Sequence, residues 1–205
     1  MKQFLIIFGS LAALALVFLV TTGFRPQFGK LINSMKNGDR TFTFQSLPQN
    51  VDELKALPEA DLKDPYAVAA LTILALTRYG ESVDDCYEML NFLRGPEPLS
   101  NYDKSFIRER LKGKTYKPFS YFHGATPKNN YTPSTPYKIT VKSNQYTFTK
   151  DSSGKEWASM MVTSGGADNP RNIKIRKKNS TGQWFLNDIL CLSDIRTPAA
   201  EDPWD

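Results

Sequence analysis

Asp64-Pro65-Tyr66-Ala67-Val68-Ala69-Ala70-Leu71-Thr72-Ile73-Leu74-Ala75-Leu76-Thr77-Arg78-Tyr79 is the stretch whose reading decides the fold. Asp64 offers a carboxylate to the free amides of a helix start, and Pro65 has the φ angle that the first helical position requires. From Tyr66 to Tyr79 only Thr72, Thr77 and Arg78 interrupt an apolar run. A helix that is hydrophobic all round belongs in the interior, so this segment is expected to be the central buried helix, ended by Gly80.

Two amphipathic helices are expected after it. Ser82 with Asp85, and Ser100 with Asp103, each set a hydroxyl three residues ahead of a carboxylate, a variant of the capping box. The first helix is expected to bury Val83, Tyr87, Leu90 and Leu93 and to stop at Gly95-Pro96. The second buries Phe106, Ile107 and Leu111, turns Arg108 and Lys112 to solvent, and stops at Gly113. Before the central helix, residues 51–57 make a short amphipathic turn closed by Pro58, and 41–45 alternates Phe42 and Phe44 with polar residues as an opening strand.

From Tyr116 to Pro136 the composition shifts to Pro, Tyr, Asn, Thr and Gly, which reads as a long ordered loop. Five strands are expected beyond it, over 137–142, 146–150, 157–164, 172–178 and 183–192, with a hairpin turn at 179–182. Helices first and strands after make the fold class α+β, with N-terminal helices packed on one face of a C-terminal antiparallel sheet.

Ahead of this domain, Phe4 to Thr22 is free of charge and close to the length that spans a bilayer. Residues 1–23 are therefore expected to be a membrane anchor or signal segment, 24–40 a linker with a short helix at 30–35, and 41–205 a single α+β domain. The expected address is the cell membrane, crossed once. A lysine, an apolar core and small polar residues in that order place the domain outside the membrane, whereas Arg25, Lys30, Lys36 and Arg40 behind the apolar run argue for the cytoplasmic side.

Hydrophobic residues at 40% and charged residues at 23% are ordinary for a chain of 205 residues with a packed core. The net charge of +5 is spread out, and its densest run, Lys174, Arg176, Lys177 and Lys178, alternates with Ile173 and Ile175 as the solvated face of a strand does. No aromatic stacking motif accompanies it, so nucleic acid is not an expected partner. Cys86 and Cys191 have no His or Cys neighbour at ligand spacing, which argues against zinc; the two either pair outside the cytoplasm or stay as buried thiols. No cofactor is implied, since no glycine-rich loop has the spacing of a nucleotide fingerprint.

The strings LKALPEADLKDPYAVAALTILAL (54–76), EMLNFLRGPEPLS (88–100), SYFHGATPKNNYTPSTPY (120–137), SGGADNPRNIKIRKK (164–178) and GQWFLNDILCLSDIRTP (182–198), with Asp202-Pro203-Trp204, carry a resemblance. They are similar to a family of small uncharacterised proteins from anaerobic Gram-positive bacteria, a domain of unknown function. The resemblance covers Thr41 onward and implies no activity, substrate or cofactor.

No catalytic residue is assigned from the sequence. His123 is the single histidine, so any Ser-His or Cys-His mechanism depends on it. Asp84 and Asp85 fall in a first helical turn, where carboxylates complement the dipole, and Trp157, Trp184 and Trp204 read as core and sheet residues. Two loops carry more special residues than a plain connection requires. Tyr121, His123 and Tyr131 lie in one; Ser164, Asp168 and Arg171 lie in the other. Together they are candidate ligand-binding residues for a small anionic or sugar-like ligand. The expected function is a membrane-tethered, non-catalytic binding or interaction module, with a protein as the other candidate partner; the alternative is a hydrolase with its pocket at these two loops. If the apolar segment holds the protein in a bilayer, the full chain sediments with membranes and resists both high salt and alkaline carbonate; soluble protein starting near Phe24 would instead show a cleaved signal.

Overall fold

The computed structural model describes residues 38–202. The expected anchor or signal segment, most of the linker with its short helix, and Trp204 lie outside the described residues. Among the described residues no helix is long and apolar enough to cross a membrane.

Strand β1 (Asp39–Phe44) comes first, followed by helices α1 (Val51–Lys55), α2 (Pro65–Thr77), α3 (Val83–Arg94) and α4 (Asn101–Leu111). Strands β2 (Tyr137–Lys142), β3 (Phe148–Lys150), β4 (Glu156–Val162), β5 (Arg171–Lys177) and β6 (Trp184–Ile189) complete an α+β fold. All pairings are antiparallel in the order β1-β2-β4-β5-β6, with β3 also on β4.

Helix α2 is buried at every one of its 13 positions. It packs on β1, β2, β4, β5 and β6 from one side, and on α3 and the 3₁₀ turns at Pro58–Asp61 and Pro118–Tyr121 from others. Its polar atoms are satisfied locally: Thr72 donates to the Val68 carbonyl at 2.8 Å and Thr77 to that of Leu74 at 2.7 Å. At its start Asp64 accepts from the Tyr66 amide at 3.0 Å while Arg40 of β1 donates to the other carboxylate oxygen at 2.8 Å. One side chain thus caps the helix and ties it to the first strand.

The expected caps of α3 and α4 form. Ser82 accepts from the Asp85 amide, and Ser100 with Asp103 makes a complete reciprocal box. The buried stripe of α3 is shifted, however. Val83 is 40% exposed and Tyr87 half-buried, while Cys86, Met89, Leu90 and Leu93 are fully buried. These four follow the i, i+3, i+4, i+7 spacing of one helix face, and Val83, at the first helical position, lies beyond its end. On α4, Ile107 and Leu111 are buried and Phe106 only partly so.

Helices first and strands after needs correction at its front: β1 pairs along its whole length with β2, and Asp39 and Arg40 belong to that strand and not to a linker. The third strand is shorter than expected because Asn144 turns the chain, its Oδ1 accepting from the Tyr146 amide at 2.8 Å and its own amide donating to Thr147 Oγ1 at 2.8 Å. The 179–182 hairpin turn is present, with Lys178 N donating to Gln183 O at 2.7 Å and Gly182 at φ +73°. Cys86 and Cys191 are both free and buried, and burial pushes each thiol up to about 12.

Alternation along the strands separates two faces. Ile139, Val141, Ala158, Met160, Val162, Ile173 and Ile175 are turned to α2 and the core. Trp157, Lys174 and Arg176 lie on the opposite face, Trp157 being paired with Arg176 across the strands and half-buried between the two cations, so it is a sheet residue but not a core one. Replacing Leu71 or Leu74 by Ala is expected to cost about 2–5 kcal/mol as an unfilled cavity, whereas Lys174→Ala, at an exposed 3.9 Å ion pair with Asp188, should change stability by less than about 0.5 kcal/mol. Urea denaturation of the three variants checks the pair of outcomes.

Candidate functional site

The six candidate residues do not converge on one cavity. Tyr121 and Tyr131 are buried to 1% exposure, and their hydroxyls donate to the carbonyls of Cys191 and Arg196. Arg171 donates from Nε to the Ser193 carbonyl at 3.1 Å and from Nη2 to that of Asp194 at 2.8 Å. Buried Lys117 reaches the Leu192 carbonyl at 2.8 Å, its ammonium pushed down in pKa first by burial and then by Lys114 and Arg110. Side chains from three chain segments therefore take up the carbonyls of the 191–196 turn, which runs off the end of β6 and has no strand partner to satisfy them.

Ser164 serves the same packing. Its hydroxyl donates to Ser120 Oγ at 2.8 Å and accepts from the Gly166 amide at 3.0 Å, and the Gly165 amide donates to the Ser120 carbonyl at 2.8 Å. The two glycines are needed for closeness: a Cβ on Gly165 would collide with the Ala125 carbonyl oxygen, and one on Gly166 with the Tyr131 hydroxyl. Asp168 is exposed and pairs with Arg196, not with Arg171. His123 is exposed, its Nε2 2.7 Å from Thr140 Oγ1, which in turn lies 2.9 Å from Thr41 Oγ1. Thus Tyr121, Tyr131 and Arg171 come together as props of one turn, Ser164 joins them through Ser120, Asp168 meets the same turn through the Arg196 side chain, and His123 bonds instead to Thr140.

The larger recess lies elsewhere, at the hairpin end of β5 and β6, with a volume of about 360 Å³. Arg176 and Lys177 line it from β5, Lys178 from just beyond that strand, Lys155 from the turn before β4, and Arg94 from the end of α3; Glu97 is the one carboxylate in its lining among the described residues. Alternation along β5 explains why Arg176 points outward, as the sequence pattern implies. Arg94 and Lys155 arrive by tertiary structure alone. Gly95, at φ +63°, presses on the Phe185 ring so closely that a Cβ there would collide with it, and this seats the end of α3 against β6. Arg94 is then held by the Glu97 carbonyl at 2.9 Å, the Asn187 carbonyl at 2.7 Å and the Asp103 carboxylate at 3.5 Å. Arg176 meets Glu97 at 3.2 Å and Lys177 meets Glu156 at 3.0 Å, while Lys155 and Lys178 are exposed. A fixed guanidinium, a second one on the strand and two exposed ammonium groups make this concavity cationic.

A smaller recess of about 180 Å³ adjoins it, on the other side of Arg94. Leu99, Tyr102, Phe106, Ile107, Ile189 and Leu190 form its apolar lining. Among the described residues no group of three His, Cys, Asp or Glu side chains is placed to hold a metal ion.

A family model described as "Domain of unknown function (DUF6935)" matches residues 46–199. No curated protein and no solved structure matches the chain.

If Arg171 is a prop of the 191–196 turn, Arg171→Ala removes the donors to the part-buried Ser193 carbonyl and the exposed Asp194 carbonyl and is expected to lower stability by about 1 kcal/mol. Asp168→Ala, at a carboxylate 81% exposed, is expected to be nearly silent. Thermal denaturation followed by circular dichroism compares the two.

Proposed function

We propose that the chain, which belongs to the DUF6935 family, is a non-catalytic binding module, tethered to a membrane by its N-terminal apolar segment, whose cationic recess takes up a small anionic ligand or an acidic group of a partner protein. The observation that carries this reading is the convergence of Arg94, Lys155, Arg176, Lys177 and Lys178 from three separate chain segments on one concavity. Cations on one surface repel one another, and gathering them costs free energy unless an anion completes the arrangement. Asp103, Glu97 and Glu156 pair with Arg94, Arg176 and Lys177, and an excess of two positive charges remains over the five cations.

The hydrolase alternative would place chemistry at the Tyr121–His123 and Ser164–Arg171 loops. There the hydroxyls of Tyr121, Tyr131 and Ser164 already donate to internal acceptors, and burial holds Tyr131 up at about 12 and pushes Tyr121 higher still. Hydroxyls in that state favour structural work over proton transfer. The tether and the bacterial source rest on the sequence reading alone.

Pyrophosphate added to the full chain in non-ionic detergent is expected to raise Tm progressively with concentration, and the gain is expected to shrink as salt rises. The doubly substituted Arg176→Glu/Lys178→Glu chain should keep its fold and lose the gain. An equal gain in both proteins, or none in either, would overturn the assignment of anion binding to this recess.

A further inference from the structure

We infer that the occupant of the two adjoining recesses is the acidic, tryptophan-bearing segment Glu201-Asp202-Pro203-Trp204-Asp205 of a second copy of this chain, so that copies associate head to tail. This deepens the reading of the cationic recess and rests on it.

The recesses differ in chemistry and share Arg94 as their dividing wall. One is cationic and has room for several small groups; the other has the volume of a single large side chain and a mainly apolar lining, with Asp103 and Asp188 as its carboxylates. Two of the four exposed large hydrophobic residues among the described ones, Tyr102 at 79% and Leu190 at 49%, stand at the mouth of the apolar recess. Exposed apolar groups gathered at one concavity mark an interaction site. A matching ligand would carry carboxylates around one large apolar side chain. The 201–205 segment has that composition: three carboxylates, one tryptophan and no basic residue. Tryptophan is also the side chain that most often anchors an interface.

Glu201 of the same copy lies away from the cationic recess. Residues 199–201 form a 3₁₀ turn that packs on the turn at 127–129, with the Ala200 amide donating to Asn130 Oδ1 at 3.4 Å. This places Glu201 near Tyr131 and Arg196, at the Arg171 end of β5, whereas the cations lie at its Lys177 and Lys178 end. The seven residues of β5 span about 20 Å between these ends. With Glu201 at one end of β5 and the recess at the other, docking of the segment between copies makes a heterologous contact, which repeats from copy to copy and does not pair two identical surfaces.

A fluorescein-labelled peptide of residues 196–205 is titrated into the full chain in non-ionic detergent, at nanomolar chain concentration so that copies do not compete with it. Binding is expected, weakened about tenfold or more by Trp204→Ala in the peptide and by Arg176→Glu/Lys178→Glu, or Lys155→Glu, in the chain. A chain carrying Trp204→Ala should bind the wild-type peptide as tightly as the wild-type chain does. Absent binding, or binding indifferent to the groove and tail substitutions, overturns the proposal. Tighter binding by the Trp204→Ala chain overturns it as well, since it would put the tail in its own groove. If the peptide fails while pyrophosphate still raises Tm through Arg176 and Lys178, tail docking is wrong and the anion recess stands; failure of both removes both.

Discussion

A helix with no polar face has to be covered on every side, and α2 imposes that requirement on the whole domain. The sheet supplies one wall, α3 another, and 3₁₀ turns from distant parts of the chain close the remainder. Because most of these covers come from residues far away in sequence, the domain gains its core only when the C-terminal strands have assembled around an N-terminal helix. The Asp64 link to Arg40 ties the first described element to α2, and the pairing of β1 with β2 ties it to a strand about a hundred residues later.

The second constraint is the turn after β6. A chain that leaves a sheet edge carries carbonyls without ladder partners, and burying them unpaired costs more than a hydrogen bond gains. Tyr121, Lys117, Arg171 and Tyr131 resolve this by donating to the carbonyls of Cys191, Leu192, Ser193 with Asp194, and Arg196. That accounts for the unusual composition of both special loops. The prolines, asparagines and glycines shape backbone that must approach closely, and the tyrosines and arginine reach across it. Tyr121, Tyr131 and Arg171 are thereby engaged with the backbone of that turn.

The cationic recess lies at the opposite end of the sheet. Scaffolding at the 191–196 turn fixes one end of β5 and β6, and the close fit of Gly95 on Phe185 fixes the other. Of the cations of the recess, Arg94 is therefore held by backbone carbonyls, with little rotamer entropy left to lose. The open face of the sheet, with Trp157 between Lys174 and Arg176, continues that charged surface away from the recess.

What the sequence determined by itself is local: the Asp64-Pro65 start of α2 and its full burial, the Ser82 and Ser100 caps, the strand of 137–142, the hairpin turn at 179–182, and the outward aim of Lys174 and Arg176. Each follows from capping chemistry or from a 3.6- or 2-residue period, which act over a few neighbours. The stripe of α3 was legible only in part, because Val83 satisfies the period yet lies past the end of the covered face. Only the tertiary structure decided that β1 joins the sheet through β2, that Tyr121, Tyr131 and Arg171 are spent on one turn, and that Arg94 and Lys155 meet the β5 cations. Those outcomes depend on which unpaired carbonyls and which charges the folded chain brings within hydrogen-bonding range, and no spacing along the chain encodes a distance across it.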